Sequence, residues 1–339
     1  MTVRPLLALV AGAAAALLLL GAGCGGDGPS SGGSTAGTES VEVVLDWYPN
    51  ADHAGIFGAM SQGYFADHGL DVTTTVPSDA TAALKQVGAG KAPFAVSYEP
   101  EVLLARSEGI PVVAVGAIVT HPLNSIIVRS DSGIESPRDL EGKTVGNTGL
   151  PLERPLLRTV VATDGGDPDR VDIRNVGYNL APALAAGRVD AIVGAYWNIE
   201  LVDLEKQGID ARAFRVEEYG VPDYDALVIV TSDRFARENP ATVRGFLEAL
   251  RQGQDWAATD QAGAVDALVT ANADLERDTV AEQVGLTADL LSPPDADTLA
   301  MDPAEWTAFA DWMRSTGQLP ADADVDGAMT TRFLPGADG

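Results

Sequence analysis

Every residue is apolar in the stretch VVAVGAIV, residues 112–119. A strand that is apolar at each position has both of its faces buried, which is typical of a sheet covered by helices on two sides. Shorter strand-like runs precede it at 41–45, 72–76 and 94–97, and helical stretches separate them at 56–66, 81–88 and 101–108. Strands that alternate with helices predict an α/β fold with a parallel or mixed sheet.

The same alternation restarts further along the chain. It begins with an extended run at 125–129 and continues through strands at 144–146, 171–176 and 191–194, with a short helical turn at 137–140 and helices at 153–163 and 181–186. We therefore expect a second mixed sheet. Another extended run, 227–231, precedes a helical final third that extends from Pro240 to about Ser315.

The two extended runs predict how the two sheets are connected. We interpret them as paired crossover strands, which gives a discontinuous first lobe of residues 41–127 plus 231–335 and an inserted second lobe of residues 128–230. Two lobes joined in this way would close on a ligand by a hinge motion.

The charge balance excludes several kinds of partner. The chain of 339 residues has 49 Asp and Glu against 22 Lys and Arg, a formal net charge of −27. Nucleic acids and anionic membrane surfaces are bound through Lys and Arg, so neither is expected as a partner. Cys24 is the sole cysteine, which excludes an intramolecular disulfide and a cysteine-rich metal or iron–sulfur site.

The N-terminus has the pattern of an export signal. Arg4 precedes an apolar run, 6–20, and small residues then lead to Cys24. This pattern predicts a signal peptide over residues 1–23, whereas a membrane-spanning anchor normally needs about 20 apolar residues. A cysteine directly after small residues resembles the lipobox of bacterial lipoproteins, and residues 24–40 have the Gly, Ser and Thr composition of a flexible tether. The expectation is an exported protein, lipid-anchored through Cys24 at the outer face of the cytoplasmic membrane.

Common catalytic motifs are missing from the sequence. It contains no G-x-x-x-x-G-K-S/T loop, no H-E-x-x-H and no G-x-S-x-G. The three histidines, His53, His68 and His121, have no metal-ligand spacing. We therefore predict a protein that is not an enzyme and that holds no metal and no cofactor.

Two aromatic and polar clusters follow predicted strands. The first is DWYPNADH, residues 46–53, and the second is AYWNIE, residues 195–200. Ligands of open α/β sheets bind beyond the carboxyl ends of the strands, so one cluster from each lobe would face a shared cleft. An alternative for the first cluster is that Trp47 or Tyr48 packs in the core and Asp52 caps a helix. The candidate ligand-binding residues in the two clusters are Asp46, Trp47, Asn50, His53, Tyr196, Trp197, Asn198 and Glu200.

Further candidates lie at other strand ends. Tyr98 follows the strand at 94–97, Asn124 lies near the first crossover, and Tyr219 and Asp223 precede the second. Glu153 adds another carboxylate at the start of a predicted helix.

The motifs resemble those of a known family, the solute-binding proteins of ABC importers, in the branch that captures pyrimidine precursors of thiamine (NMT1/THI5-like, SsuA/THI5-like). The matching stretches are LDWYPN (45–50) with His53, GYF (63–65), GLDV (69–72), HPLNS (121–125), LEGKTVG (140–146), GRVDA (187–191), GAYWNIE (194–200) and GVPDY (220–224). The resemblance implies a two-lobed periplasmic-binding-protein fold of type II. It also implies an ABC permease and its ATPase as partners, and a monomeric receptor.

The charge of the candidate residues favours one ligand class. A sulfonate or nitrate site needs Arg, Lys or a row of backbone N–H groups, whereas Arg154 is the one cation near the candidate positions. The amine of an aminopyrimidine donates to carboxylates, and its flat ring stacks on Trp or Tyr. We therefore expect hydroxymethylpyrimidine or its formylamino analogue as the ligand.

Each candidate then has an expected role. Trp47 and either Trp197 or Tyr196 would form the stacking walls, and Asp46 and Glu200 would accept from the amine. Hydrogen bonds to other polar atoms of the ligand are expected from Asn50, His53 and Asn124.

Three alternatives stay open. One is another flat heteroaromatic ligand such as riboflavin, and a second is a sulfonate- or nitrate-type solute. The third belongs to a different class: a eukaryotic enzyme that the family resembles makes the thiamine pyrimidine and carries a cysteine-rich iron motif. Such a synthase role is disfavoured here, because the one cysteine is Cys24 and because of the export signal.

Overall fold

The computed structural model describes residues 38–79, 81–323 and 325–337. The predicted signal peptide, Cys24 and residues 24–37 of the predicted tether lie outside the described residues, whereas residues 39 and 40 begin the first strand. The strands of the described part are β1 (Glu39–Val44), β2 (Leu70–Thr75), β3 (Phe94–Ser97), β4 (Val112–Val119), β5 (Asn124–Arg129), β6 (Thr144–Asn147), β7 (Asp172–Asn175), β8 (Ala191–Tyr196), β9 (Ala211–Arg215) and β10 (Leu227–Ser232).

Helices connect and cover these strands. They are α1 (Ala54–Gln62), α2 (Tyr64–Asp67), α3 (Ala82–Gly88), α4 (Glu99–Ser107), α5 (Glu153–Thr163), α6 (Leu180–Ala185), α7 (Glu200–Lys206), α8 (Asp233–Glu238), α9 (Pro240–Thr259), α10 (Gln261–Ala271), α11 (Arg277–Leu291) and α12 (Pro303–Ser315). None of the helices in the described residues is both long enough and apolar enough to cross a lipid bilayer.

The strands form two mixed sheets of five strands each. The first has the order β2-β1-β3-β10-β4 and the second β7-β6-β8-β5-β9, which confirms the predicted α/β fold with two mixed sheets. In the first sheet β10 is antiparallel to both of its neighbours. In the second sheet β5 is likewise antiparallel to both of its neighbours. We call the parts of the molecule built on these sheets the first and second lobes.

The chain passes between the lobes slightly earlier than the sequence indicated. β5 pairs entirely within the second sheet and β10 entirely within the first. The two crossovers are therefore the segments 120–123 and 216–226. The expected boundaries at 127/128 and 230/231 fall inside strands, because an apolar extended run does not reveal to which sheet it is hydrogen-bonded.

Most elements agree with their sequence prediction, and the exceptions have local causes. β3 and β4 have the expected bounds. The helix expected over 56–66 is divided into α1 and α2 at Gly63, whose φ of 79° is left-handed and ends a helix. The edge strand β9 was missed because Arg212 and Arg215 interrupt its apolar pattern.

Aromatic side chains fill the core of the first lobe. The ring of Phe94 stacks on that of Phe246 with centroids 4.2 Å apart. The ring of Phe65 also stacks on Phe246, with centroids 5.1 Å apart. Near the C-terminus, Met329 forms a β-bridge with Ala114 and covers the outer edge of β4. This packing holds the strands whose ends carry the site.

Candidate functional site

A cavity lies where the strand ends of the two sheets meet. The carboxyl ends of β1, β3, β6 and β8 reach it, and so do the amino ends of the antiparallel β5 and the segment before β10. The space between its lining residues is about 600 Å³ when the open mouth is included. It is lined by Asp46, Trp47, Asn50, Tyr98, Glu101, Asn124, Thr148, Leu150, Leu152, Glu153, Leu156, Gly194, Tyr196, Ile199, Glu200 and Tyr224.

Asp46 is a buried carboxylate of the first lobe that two side chains hold in place. It follows β1 and is 3% exposed. The Tyr98 hydroxyl donates to its Oδ2 over 2.8 Å, and His53 Nε2 lies 2.8 Å from its Oδ1. Because the Asn50 N–H donates to His53 Nδ1, the ring proton is on Nε2 and points at Asp46. His53 therefore orients Asp46 from behind and does not line the cavity.

An aromatic group spans the mouth between the lobes. The ring of Trp47 meets that of Tyr178, from the second lobe, edge to face at 4.2 Å. The Tyr178 hydroxyl donates to the backbone carbonyl of Asp46 over 3.4 Å. Tyr48 also packs edge-on against Tyr178, but its side chain is 53% exposed. Of Trp47 and Tyr48, Trp47 is therefore the residue that lines the cavity.

The second lobe supplies the opposite wall. Tyr196 is the last residue of β8, and Glu200 is the first of α7. Glu200 Oε2 accepts from the Tyr196 N–H over 2.7 Å, which fixes the carboxyl beside the ring. Burial raises the pKa of Glu200 to about 8. Asn124, opposite Tyr196 in the β5–β8 register, donates to the Tyr224 hydroxyl over 2.7 Å.

The Glu153 carboxyl accepts hydrogen bonds from a row of backbone N–H groups. Its carboxyl accepts from the N–H groups of Thr148, Gly149 and Leu150 at 3.0 to 3.2 Å, and from the Thr148 hydroxyl. Burial raises the pKa of Glu153 to about 7, although these hydrogen bonds lower it. Three converging N–H groups before a helix are an anion site in many proteins, and here a side chain of the same chain occupies it.

Gly194 makes room for that carboxyl. Its φ of 84° is left-handed, and a Cβ at this position would lie 2.2 Å from Glu153 Oε1. A glycine is required on both grounds.

A buried polar contact joins the lobes behind the cavity. Asn198 Nδ2 donates to Asp52 Oδ1 over 2.7 Å and to Thr287 Oγ1 over 3.0 Å. Burial raises the pKa of Asp52 to about 7. Gln283, also on α11, donates to the Ile199 carbonyl and to Asp203. The turn between β8 and α7 is thus fastened to α11.

The structure brings eight of the thirteen predicted binding residues into the cavity. They are Asp46, Trp47, Asn50, Tyr98, Asn124, Glu153, Tyr196 and Glu200. The alternative that Asp52 caps a helix is wrong, because the cap is Asn50, whose side chain accepts from the Asp52 N–H, while the Asp52 carboxyl accepts from Asn198. Trp47 both lines the cavity and packs against the core of the second lobe.

The other five predicted residues lie elsewhere. Trp197 points away from the cavity because neighbouring residues at a strand end alternate in direction, and the Arg215 guanidinium lies 4.0 Å above its ring. His53 and Asn198 are fully buried behind the lining residues. Tyr219 packs on Phe214, and Asp223 is exposed beside His121 in the crossover segments.

Eight lining residues were not predicted. Tyr224 could have been found, because it precedes an antiparallel strand, and such a strand brings its amino end to the same edge. Glu101 lies on α4, two residues after Glu99, which is the first residue of that helix. Gly194 was quoted as a motif residue without a role. The remaining five are apolar residues and one threonine, which in a sequence do not indicate a binding role: Thr148, Leu150, Leu152, Leu156 and Ile199.

The ionisable side chains of the lining include several acidic ones. Asp46, Glu101, Glu153 and Glu200 line the cavity, and none of its described lining residues is Lys or Arg. Within the described chain no group of three or more His, Cys, Asp or Glu is placed to hold a metal ion. The arrangement can bind a flat ring between aromatic walls and accept hydrogen bonds from its amines.

Residues 50–264 match the family described as NMT1/THI5 like. The chain belongs to the NMT1/THI5-like family. It is 36% identical over 279 residues to a formylaminopyrimidine-binding protein of Halalkalibacterium halodurans, covering 81% of this chain and 84% of that protein. It is 28% identical over 233 residues to the 4-amino-5-hydroxymethyl-2-methylpyrimidine phosphate synthase THI13 of Saccharomyces cerevisiae, covering 66% of this chain and 68% of that protein.

The fold of this NMT1/THI5-like chain is also that of solved binding proteins. The alkanesulfonate-binding protein SsuA of Xanthomonas axonopodis pv. citri, bound to MOPS, superposes with a TM-score of 0.71 at 20% identity. The match covers 87% of this chain and 99% of SsuA. At this identity the likeness concerns the two-lobed fold.

Proposed function

We propose that this protein is the extracytoplasmic receptor of an ABC importer, and that it captures a thiamine pyrimidine precursor between its lobes. The observation that carries the proposal is a cavity with four carboxyl groups, aromatic side chains from both lobes and, in the described chain, no lining cation. An aminopyrimidine such as hydroxymethylpyrimidine or its formylamino analogue offers the matching donors and a flat ring.

The proposed roles follow the geometry of the lining. Asp46 and Glu200, one from each lobe, accept from the ligand amine, and Trp47 and Tyr196 form the walls. Asn50 and Asn124 supply further hydrogen bonds, whereas His53 acts by orienting Asp46. Trp197 has no place in this scheme, since its ring packs under Arg215.

The anion alternative has a specific argument against it. The backbone donors of Thr148, Gly149 and Leu150 would suit a sulfonate or nitrate, but the Glu153 carboxyl already accepts from them. A second anion beside Glu153 would meet like charge with no cation to offset it.

The relatives support a receptor more than an enzyme. The relative at 36% identity is named as a formylaminopyrimidine-binding protein, and the named synthase is at 28%. The cysteine-rich iron motif expected of that synthase has no counterpart in a sequence whose one cysteine is Cys24. We propose that the protein acts without turning its ligand over.

Delivery of the ligand to the permease depends on the two-lobed fold. A ligand that touches both lobes stabilises the closed arrangement over the open one, and the permease and its ATPase receive the closed form. We further propose that the protein is exported and held at the outer face of the membrane through a lipid on Cys24.

The test is calorimetry on the purified protein with hydroxymethylpyrimidine, formylaminopyrimidine, riboflavin and taurine, together with mass spectrometry of released small molecules. We expect the two pyrimidines to bind. Glu200→Gln should weaken their binding about tenfold, since the amide nitrogen that replaces one carboxyl oxygen cannot accept a hydrogen bond from the ligand amine. The matched control is Glu205→Gln, which changes an exposed carboxyl on the same helix and should leave binding unchanged. Binding of taurine alone would contradict the proposal.

A further inference from the structure

Glu101 places a carboxyl in the cavity that the described chain does not satisfy. It lies on α4 in the first lobe and lines the cavity. Its Oε1 is shielded from solvent and has no hydrogen-bond partner in the described part of the chain. Leaving a buried polar atom without a partner is unfavourable, so such an atom inside a binding cavity points to a ligand group that pairs with it.

Glu101 lies on a different element from the carboxyls assigned to the ligand amine. It is on α4, whereas Asp46 follows β1 and Glu200 begins α7. Its neighbour among the lining carboxyls is Glu153 of α5, whose charge acts on it. Glu153 is occupied by the N–H groups of its own lobe, so Glu101 is the member of this pair with an oxygen left to bind.

The surroundings select the chemistry of the group that Glu101 can meet. Burial and the charge of Glu153 raise the pKa of Glu101 to about 8, so at neutral pH the carboxyl is mostly protonated. A protonated carboxyl offers one O–H donor and one carbonyl acceptor. Its complement is a neutral group that both accepts and donates, such as a hydroxyl or an N-formyl amide.

We propose that Glu101 binds the polar arm of the pyrimidine ligand, a hydroxymethyl or formylaminomethyl group, and so determines which precursors the receptor prefers. This inference rests on the proposed function, because it takes the ring to be held by the Asp46 and Glu200 part of the cavity. Glu101 is then a specificity-determining residue, separate from those that hold the ring.

The experiment compares ligands with and without the arm. Dissociation constants are measured by calorimetry for 4-amino-2-methylpyrimidine, hydroxymethylpyrimidine and formylaminopyrimidine with the wild-type protein and with Glu101→Met, Glu101→Gln and Glu108→Met. In Glu101→Met the two ligands with an arm should bind about tenfold more weakly, and the armless ring should bind as in the wild type. Glu101→Gln keeps a donor and an acceptor and should keep the wild-type preference.

Glu108→Met is the matched control, because Glu108 is exposed at the end of the same helix and its charge also acts on Glu101. Equal weakening of all three ligands in Glu101→Met, or the same loss of preference in Glu108→Met, would overturn the inference. Unchanged binding of the armless ring shows that each variant is folded. If no pyrimidine binds the wild-type protein, the proposed function itself fails, which is a distinguishable result.

Discussion

Single residues determine which charge the cavity presents. Glu153 occupies three backbone donors that would otherwise attract an anion, and Gly194 leaves the space that this carboxyl needs. A side chain thereby changes a site of anion-binding geometry into one that presents carboxyl groups. Under the proposed function, these two residues, which lie in α5 and β8, disfavour an anionic ligand.

Replacing Gly194 tests this arrangement. In Gly194→Ala the Cβ would lie 2.2 Å from Glu153 Oε1. Glu153 must then leave its donors, so we expect pyrimidine binding to fall at least tenfold and the free energy of unfolding to fall by about 2–3 kcal/mol. Denaturant unfolding and calorimetry measure the two effects.

The control is Gly187→Ala. Gly187 is also left-handed, with φ of 65°, but a Cβ there meets no atom within 4 Å. It should lose about 1 kcal/mol of stability from backbone strain alone and keep its affinity. Equal effects of the two substitutions on binding would show that Glu153 is not displaced.

Among the secondary-structure elements, α11 of the first lobe makes buried polar contacts with the second lobe. Its Thr287 and Gln283 reach the turn between β8 and α7 through Asn198, Ile199 and Asp203. Tyr196 and Glu200 lie on the two sides of that turn. The contact therefore positions the second-lobe wall of the cavity as well as joining the lobes.

Removal of the Asn198 side-chain amide tests the contact between α11 and the turn that joins β8 to α7. Asn198→Ala leaves Asp52 Oδ1 and Thr287 Oγ1 without their shared donor inside the protein. We expect the free energy of unfolding to fall by about 2 kcal/mol, measured by denaturant titration at pH 7. Asn179→Ala, at an exposed asparagine of the same lobe, should change it by less than about 0.5 kcal/mol. A loss no larger than that of Asn179→Ala would show that the contact does not contribute to the stability of the folded protein.

The whole molecule carries many carboxyls and few cations, and several of the carboxyls are buried. Burial raises the pKa of Asp52, Glu153 and Asp225 to about 7, and of Glu101 and Glu200 to about 8. Each of these groups binds its proton more tightly in the folded state than in the unfolded state. The formal net charge of −27 adds self-repulsion as further carboxyls ionise.

This charge distribution predicts that stability falls as the pH rises. Between the ordinary carboxyl pKa near 4 and the raised values of about 7 to 8, the folded state holds protons that the unfolded state has released. The free energy of unfolding should therefore be higher at pH 5.5 than at pH 8, as measured by denaturant titration across this range.

Asp52→Asn isolates one contribution. It should reduce the slope of the unfolding free energy against pH by up to about 1.4 kcal/mol per pH unit between pH 4 and 7, because one proton is no longer taken up. Asp289→Asn, at an exposed position of α11, is the matched control and should keep the wild-type slope. A wild-type slope in Asp52→Asn would mean that Asp52 is ionised in the folded protein.

The sequence by itself determined the alternation of strands and helices, the two mixed sheets and the aromatic and acidic clusters at their ends. These features are local, because periodicity and neighbouring residues produce them. It also indicated eight of the lining residues as candidates, and for those that follow a strand, such as Asp46 and Tyr98, the reason is that the carboxyl ends of parallel strands reach the binding edge.

The tertiary structure decided the direction and the partners of each side chain. It turned Tyr196 into the cavity and Trp197 under Arg215, brought Glu101 of the first lobe near Glu153 of the second, and gave Glu153 its backbone donors. It also fixed β5 and β10 in their sheets, and with them Asn124 and Tyr224 at the cavity. These outcomes depend on contacts between segments far apart in the chain, and such contacts form only when the lobes are packed together.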